Sequence, residues 1–185
     1  MALGDSAAQG VGARNLEASY VGRLATRLER LSHRTVRVVN LSRYGAGVDD
    51  AIERQLPLLA ELEPDLVTVA IGSNDMKGFD ADVFTTSFTR LIGALPAHTI
   101  IADLPCFHMG ERERDAVIAS RTIADLAITH QLDFAPLHRV TEKRRGWGSF
   151  PEFSWDQFHP SALGYRVWES AFAGHVNNRA RDLQE

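Results

Sequence analysis

The segment Leu66-Val67-Thr68-Val69-Ala70-Ile71 carries no charge and only one polar side chain. A strand with one solvated face alternates apolar and polar residues, whereas a strand buried on both faces reads as a continuous apolar run. Six residues are far fewer than the roughly 20 that a helix needs to cross a bilayer. The run therefore predicts an interior strand of a parallel sheet. Parallel neighbours cannot be joined by a hairpin; they require crossover helices that cover both faces.

The rest of the chain meets that requirement. Strands are predicted over residues 35–41, 65–71, 99–104 and 132–137, with residues 1–3 as the tail of a fifth. Between them lie stretches of helical period. Asn15 is a predicted N-cap for a helix with Tyr20, Leu24, Leu28 and Leu31 on one stripe. Residues 49–62 form a second helix, interrupted near Pro57. Phe84, Phe88, Leu91, Ile92 and Leu95 mark a third, stopped by Pro96. Residues 114–130 and 162–176 supply two more. This alternation predicts βαβ units.

Composition narrows the class of protein. At 185 residues, with no repeat or linker, residues 1–185 read as a single domain. The net charge of −4 gives no electrostatic reason to bind nucleic acid or an anionic membrane. Cys106 is the only cysteine, so an internal disulfide and a multi-thiolate metal cluster are both ruled out. No apolar segment is long enough for stable membrane insertion. No basic-then-apolar opening segment resembles an export signal, so the expected location is the cytoplasm. Neither heptads nor an apolar stripe indicate an oligomeric state.

Open parallel sheets bind ligands beyond the carboxyl ends of their strands. At those ends stand Gly4-Asp5-Ser6; Asn40, followed by Gly45; Gly72-Ser73-Asn74-Asp75; and, before the last helix, Asp156-Gln157-Phe158-His159-Pro160. Serine, histidine and aspartate together permit nucleophilic acyl transfer. A hydroxyl becomes a nucleophile when a neutral imidazole takes its proton and a carboxylate fixes the imidazole tautomer. On this reading Ser6 is the nucleophile, His159 the base and Asp156 its orienter. The Ser6 and Gly45 backbone N–H groups and the Asn74 side-chain amide are candidate oxyanion donors.

Two other chemistries compete. Asp5, Asn74, Asp75, Asp156 and His159 are metal-capable and would suit a metal-dependent phosphoesterase, yet no Asp-x-His or His-Glu-x-x-His pair accompanies them. Alternatively, the loop from Gly4 to Gly12 would cradle phosphate or an acyl group in a non-catalytic flavodoxin-like binding module. That loop lacks the P-loop lysine and the third glycine of a dinucleotide fingerprint.

The four blocks, in this order, resemble the SGNH hydrolase superfamily, the GDSL-type lipases and esterases, along essentially the whole chain. Gly4-Asp5-Ser6, Gly45, Gly72-Ser73-Asn74-Asp75 and Asp156 to His159 with the following Pro160 match its motifs in turn; Ala7 departs from the leucine many members carry. The resemblance implies a three-layer α/β/α sandwich around a five-stranded parallel sheet of flavodoxin-like order 2-1-3-4-5. It also implies hydrolysis of a small-molecule carboxylic ester, thioester or acetylated sugar, with no cofactor and no metal. An inactive acyl-binding relative is a further alternative, against which the intact Ser6, Gly45, Asn74, Asp156 and His159 set argues.

Further residues fall on the same rim. Cys106, Phe107, His108 and Met109 follow the strand at 99–104 and are candidates for the substrate pocket, as is Trp155 in the aromatic run Trp147, Phe150, Phe153, Trp155. The run Lys143-Arg144-Arg145 reads as a solvated loop. Cys106 has no partner motif that would make it a nucleophile, and His138 has no ligand-spaced neighbour.

Overall fold

The computed structural model describes residues 1–108, 110–143 and 147–184. Met109, Arg144, Arg145 and the side chain of Trp147 lie outside the described residues. Four strands, β1 (Ala2–Gly4), β2 (Val67–Ala70), β3 (Thr99–Ala102) and β4 (Asp133–Ala135), pair in parallel in the order β1-β2-β3-β4. Leu3 stands opposite Val69, Val69 opposite Ile101, and Ile101 opposite Phe134.

The expected five-stranded sheet of order 2-1-3-4-5 is therefore corrected to a four-stranded sheet in sequential order. Residues 35–41 run beside β1 but make a single bridge, Ala2 with Asn40. Ala2 N–H donates to Val39 O at 3.0 Å and Leu41 N–H to Ala2 O at 2.8 Å. The physical reason is exposure: in the segment Thr35 and Arg37 are exposed while Val36 and Val38 are half-buried, so it lies at the edge of the sheet.

Helices cover both faces. In chain order they are α1 (Ser6–Gln9), α2 (Tyr20–Ser32), α3 (Val48–Arg54), α4 (Leu56–Ala60), α5 (Ala81–Gly93), α6 (Glu111–Thr129), α7 (Leu137–Glu142) and α8 (Ala162–Asp182). The period-2 pleat divides the core. Leu3, Val67, Val69 and Ile101 pack with Ala51, Phe84, Phe88, Leu91 and Ile123 of α3, α5 and α6. Ala2, Ala70, Ile100 and Ala135 pack with Tyr20, Leu24, Tyr165 and Phe172 of α2 and α8. Full burial of one such large side chain contributes about 1.5–3 kcal/mol. These two cores, more than ladders of three or four residues, hold the α/β/α layers together.

Local signals set the helix ends. Asn15 caps the short 3-10 turn Leu16–Ala18, and Ser19 caps α2 by accepting from Gly22 N–H at 3.1 Å. The interruption near Pro57 is real: α3 ends at Arg54 and α4 starts at Leu56, with Pro57 in its first turn, where its missing N–H is harmless. Asp80 caps α5 through Asp82 and Val83 N–H, both at 3.0 Å. No described helix is long and apolar enough to cross a membrane.

Candidate active site

Ser6 begins α1, separated from β1 only by Asp5. The geometry depends on Gly4, where a Cβ would stand 2.4 Å from Ala70 O and 2.7 Å from Ala8 Cβ. Asp5 caps the short helix, accepting from Ala7 N–H at 2.9 Å. Burial raises the Asp5 carboxyl to about 6, against the opposing pull of the Ala7 amide and of His159. Ser6 Oγ is thus presented at a strand-to-helix corner by buried backbone.

The segment carrying Asp156 and His159 folds on itself. Asp156 Oδ1 accepts from the backbone N–H groups of Phe158 (3.1 Å) and His159 (3.0 Å), an Asx-type turn. Its other oxygen, Oδ2, is 2.5 Å from His159 Nδ1. Two interactions bring this loop to the nucleophile. Tyr165 OH donates to Val11 O at 2.6 Å. At Gly12 the chains approach so closely that a Cβ would stand 2.4 Å from Pro160 O. As a result His159 Nε2 lies 2.9 Å from Ser6 Oγ.

Ser6 and His159 are 5% and 6% exposed, so their contact is largely shielded from water. Burial raises the Asp156 carboxyl, but hydrogen bonds from the His159 ring and from the His159 and Phe158 amides outweigh it. The net effect holds Asp156 below the usual carboxylate range. An ionised Asp156 fixes the ring proton on Nδ1 and leaves Nε2 free to accept from Ser6.

Asn74, in the 3-10 turn after β2, donates one amide proton to Ala46 O at 2.9 Å, which ties the third block to the second. Asp75 binds the same neighbour segment, with both oxygens 3.2 Å from Val48 N. Gly45 adopts φ +72° on the exposed rim, a conformation that favours glycine. Asn40 connects this block to α1 by donating to Ala8 O at 2.7 Å.

A cavity of about 800 Å³ opens beside Ser6 and His159. Asn74, Cys106, Phe107 and His108 line it, as do Phe150, Phe153 and Trp168. Trp155 does not: it is 92% exposed and outside the lining. Gly45 is also outside the lining. Two rings that the motifs did not single out flank the imidazole, Tyr44 at 6.0 Å and Phe158 at 5.1 Å between centroids. Among the described residues, the metal-capable set Asp5, Asp75 and His159 does not form a close donor group; the one such group is Cys106, Glu113 and His138.

Residues 2–167 match the sequence profile of the GDSL-like Lipase/Acylhydrolase family. No curated protein matches the sequence. Solved structures of similar fold include LAE5, an alpha/beta hydrolase enzyme from the metagenome of Lake Arreo, Spain. It is 20% identical, with 95% of this chain and 93% of that chain covered and a TM-score of 0.77. The lipase/acylhydrolase from Enterococcus faecalis is 19% identical over 96% of this chain and 95% of its own, with a TM-score of 0.76. The acetylxylan esterase Axe2 from Geobacillus stearothermophilus is 20% identical over 95% and 92%, with a TM-score of 0.77. At these identities the likeness is one of fold.

Proposed function

Since the chain belongs to the GDSL-like lipase/acylhydrolase family and is an esterase of that type, we propose that Ser6, His159 and Asp156 carry its catalysis. The observation that supports this most is the unbroken chain from Asp156 Oδ2 through His159 to Ser6 Oγ, with contacts of 2.5 and 2.9 Å.

His159 Nε2 takes the Ser6 proton as Oγ bonds to the ester carbonyl carbon. The tetrahedral oxyanion is met by Ser6 N–H, which has no intrahelical partner at the start of α1. It is met also by the remaining amide proton of Asn74 and, from the rim, by Gly45 N–H. Collapse breaks the bond to the leaving alcohol or thiol, which receives the proton from His159. Water then repeats the sequence on the acyl-Ser6 ester, releasing the acid and restoring the serine. Asp156 stabilises the imidazolium formed at each step without itself becoming protonated.

The substrate class is a small ester with a flexible apolar acyl group. Support comes from the cavity beside Ser6, whose wall includes Phe107, Phe153 and Trp168, with Cys106 and His108 at the same wall. Each methylene buried there adds up to about 0.8 kcal/mol of transfer free energy. Replacing Ser6 by Ala should abolish hydrolysis of p-nitrophenyl esters while circular dichroism and thermal unfolding stay as in the parent. Near-parental rates in a folded Ser6→Ala protein would overturn the assignment.

A further inference from the structure

A second cluster of chemically capable side chains lies at the cavity wall, apart from the triad. Cys106 stands in the loop after β3, Glu113 in the first turn of α6 and His138 in α7. Cys106 Sγ is 3.4 Å from Glu113 Oε1, and His138 Nε2 is 3.3 Å from the same oxygen. All three donor atoms lie within 4.8 Å of one another. Cys106 and Glu113 are buried, and His138 Nε2 is inaccessible to solvent and has no aligned hydrogen-bond partner.

We propose that Cys106, Glu113 and His138 form a binding site for a thiophilic divalent cation of the zinc class. Zinc binds sulfur at about 2.3 Å and nitrogen or oxygen at about 2.0–2.1 Å, tetrahedrally, which sets such donors about 3.3–3.5 Å apart. The two separations to Glu113 Oε1 already have that length. A thiolate, an imidazole and a carboxylate select zinc-like ions over magnesium or calcium, which prefer all-oxygen sites. Charge favours it too: one thiolate and one carboxylate together offset the two charges of a dication. The balance is simple. The S–H bond breaks, a sulfur–metal bond forms, and one proton leaves to solvent.

The surroundings hold these ligands in place. Glu113 Oε2 accepts from Phe107 N–H at 2.6 Å. Cys106 N–H donates to Thr141 Oγ1 at 2.9 Å, and that hydroxyl donates to Leu137 O at 2.8 Å, tying the cysteine loop to the helix that carries His138. Such outer contacts orient ligands before an ion arrives. Cys106 lines the cavity, which gives the ion its path of entry. A bound cation would link α6, α7 and the 104–108 wall in one cross-brace.

Titration of the full chain with Co²⁺ tests this directly. Because Cys106 is the only cysteine, a thiolate-to-cobalt charge-transfer band reports this residue alone. The band is expected to saturate near one equivalent, to release about one proton per ion, and to be displaced by Zn²⁺. Glu113→Gln and His138→Gln should each weaken binding more than about 100-fold, beyond the effect of losing an outer contact. Zn²⁺ should also raise the melting temperature of the unaltered protein, as any ligand specific to the folded state does. Absence of the band and of the melting shift, or full binding in both variants, overturns the proposal. The Ser6→Ala experiment is independent of either result.

Discussion

The side chain of Gln55 grips both polar backbone atoms of Gly4: Oε1 accepts from Gly4 N–H and Nε2 donates to Gly4 O, each at 2.9 Å. Gln55 is fully buried at the junction of α3 and α4. It gives Gly4 N–H its partner and adds a second donor to Gly4 O beside Arg43 N–H at 3.1 Å, two residues before the nucleophile.

Removing the grip leaves the buried Gly4 N–H without its partner, at a cost of about 1–3 kcal/mol, while Gly4 O keeps the bond from Arg43 N–H at 3.1 Å. Gln55→Leu is therefore expected to lower the unfolding free energy by about 1–3 kcal/mol, measured by urea denaturation. The ester-hydrolysis kcat should fall more than KM rises, because Ser6 is displaced and the cavity wall is left intact.

Asn74 has two duties. Asn74→Ala should lower kcat by roughly 10²–10³, the range for a lost oxyanion donor. It should also lower stability by about 1 kcal/mol through the lost bond to Ala46 O. Steady-state kinetics beside a thermal melt separate the two effects.

Asp156→Asn isolates the electrostatic role of the carboxylate. Asparagine keeps an oxygen for the Phe158 and His159 amides, so the turn should survive, but an NH₂ facing Nδ1 enforces the wrong imidazole tautomer. By the precedent of serine hydrolases, kcat should fall about 10⁴-fold. The depressed Asp156 pKa adds a pH corollary: the carboxylate stays charged below the usual carboxylate range, so it sets no acid limb on the parental rate profile above about pH 4.

Asp103, just past β3, is pushed by burial from an ordinary 3.8 up to about 7, while the N–H groups of His138 and Leu137 pull it back. Asp5 rises to about 6. Both bind their protons more tightly folded than unfolded, so their contribution is fully present below about pH 4. It is lost as pH rises through about 6 and 7. Urea midpoints should therefore decline across that window. For Asp103 the cost of ionisation is on the order of 4 kcal/mol. Asp103→Asn retains an acceptor for His138 N–H, now 2.8 Å away. It should flatten the upper part of the decline.

What the sequence discloses follows the range of each interaction. The Asp-x-x-His spacing is legible because the turn joining Asp156 to His159 is made within four residues. Interior strands are legible because burial on both faces excludes charge from residues 67–70 and 99–102. Residues 35–41 mislead because Val36, Val38 and Val39 have strand character, yet the segment lies half-exposed at the sheet edge and only Asn40 bridges to β1. The helix Leu137–Glu142 is hidden because Leu137, its first residue, extends the apolar pattern of the strand expected over 132–137, which ends in β4 at Ala135. Gln55 and the Cys106–Glu113–His138 group leave no mark at all. Each depends on side chains from separate elements meeting in space, and neither has a repeating spacing to betray it.

The sequence separation of 153 from Ser6 to His159 bears on how the chain acquires its activity during synthesis. At about 5–20 residues per second, a ribosome finishes the base roughly 8–30 s after the nucleophile. Even then the base cannot be seated until α8 docks on α2, where Tyr20 stacks on Phe172 at 5.4 Å. A nascent or prematurely terminated chain therefore carries a serine no more reactive than any other. Turnover begins only when the segment around Ser6 and the segment that carries His159 have closed on each other, which makes ester hydrolysis a direct readout of that closure.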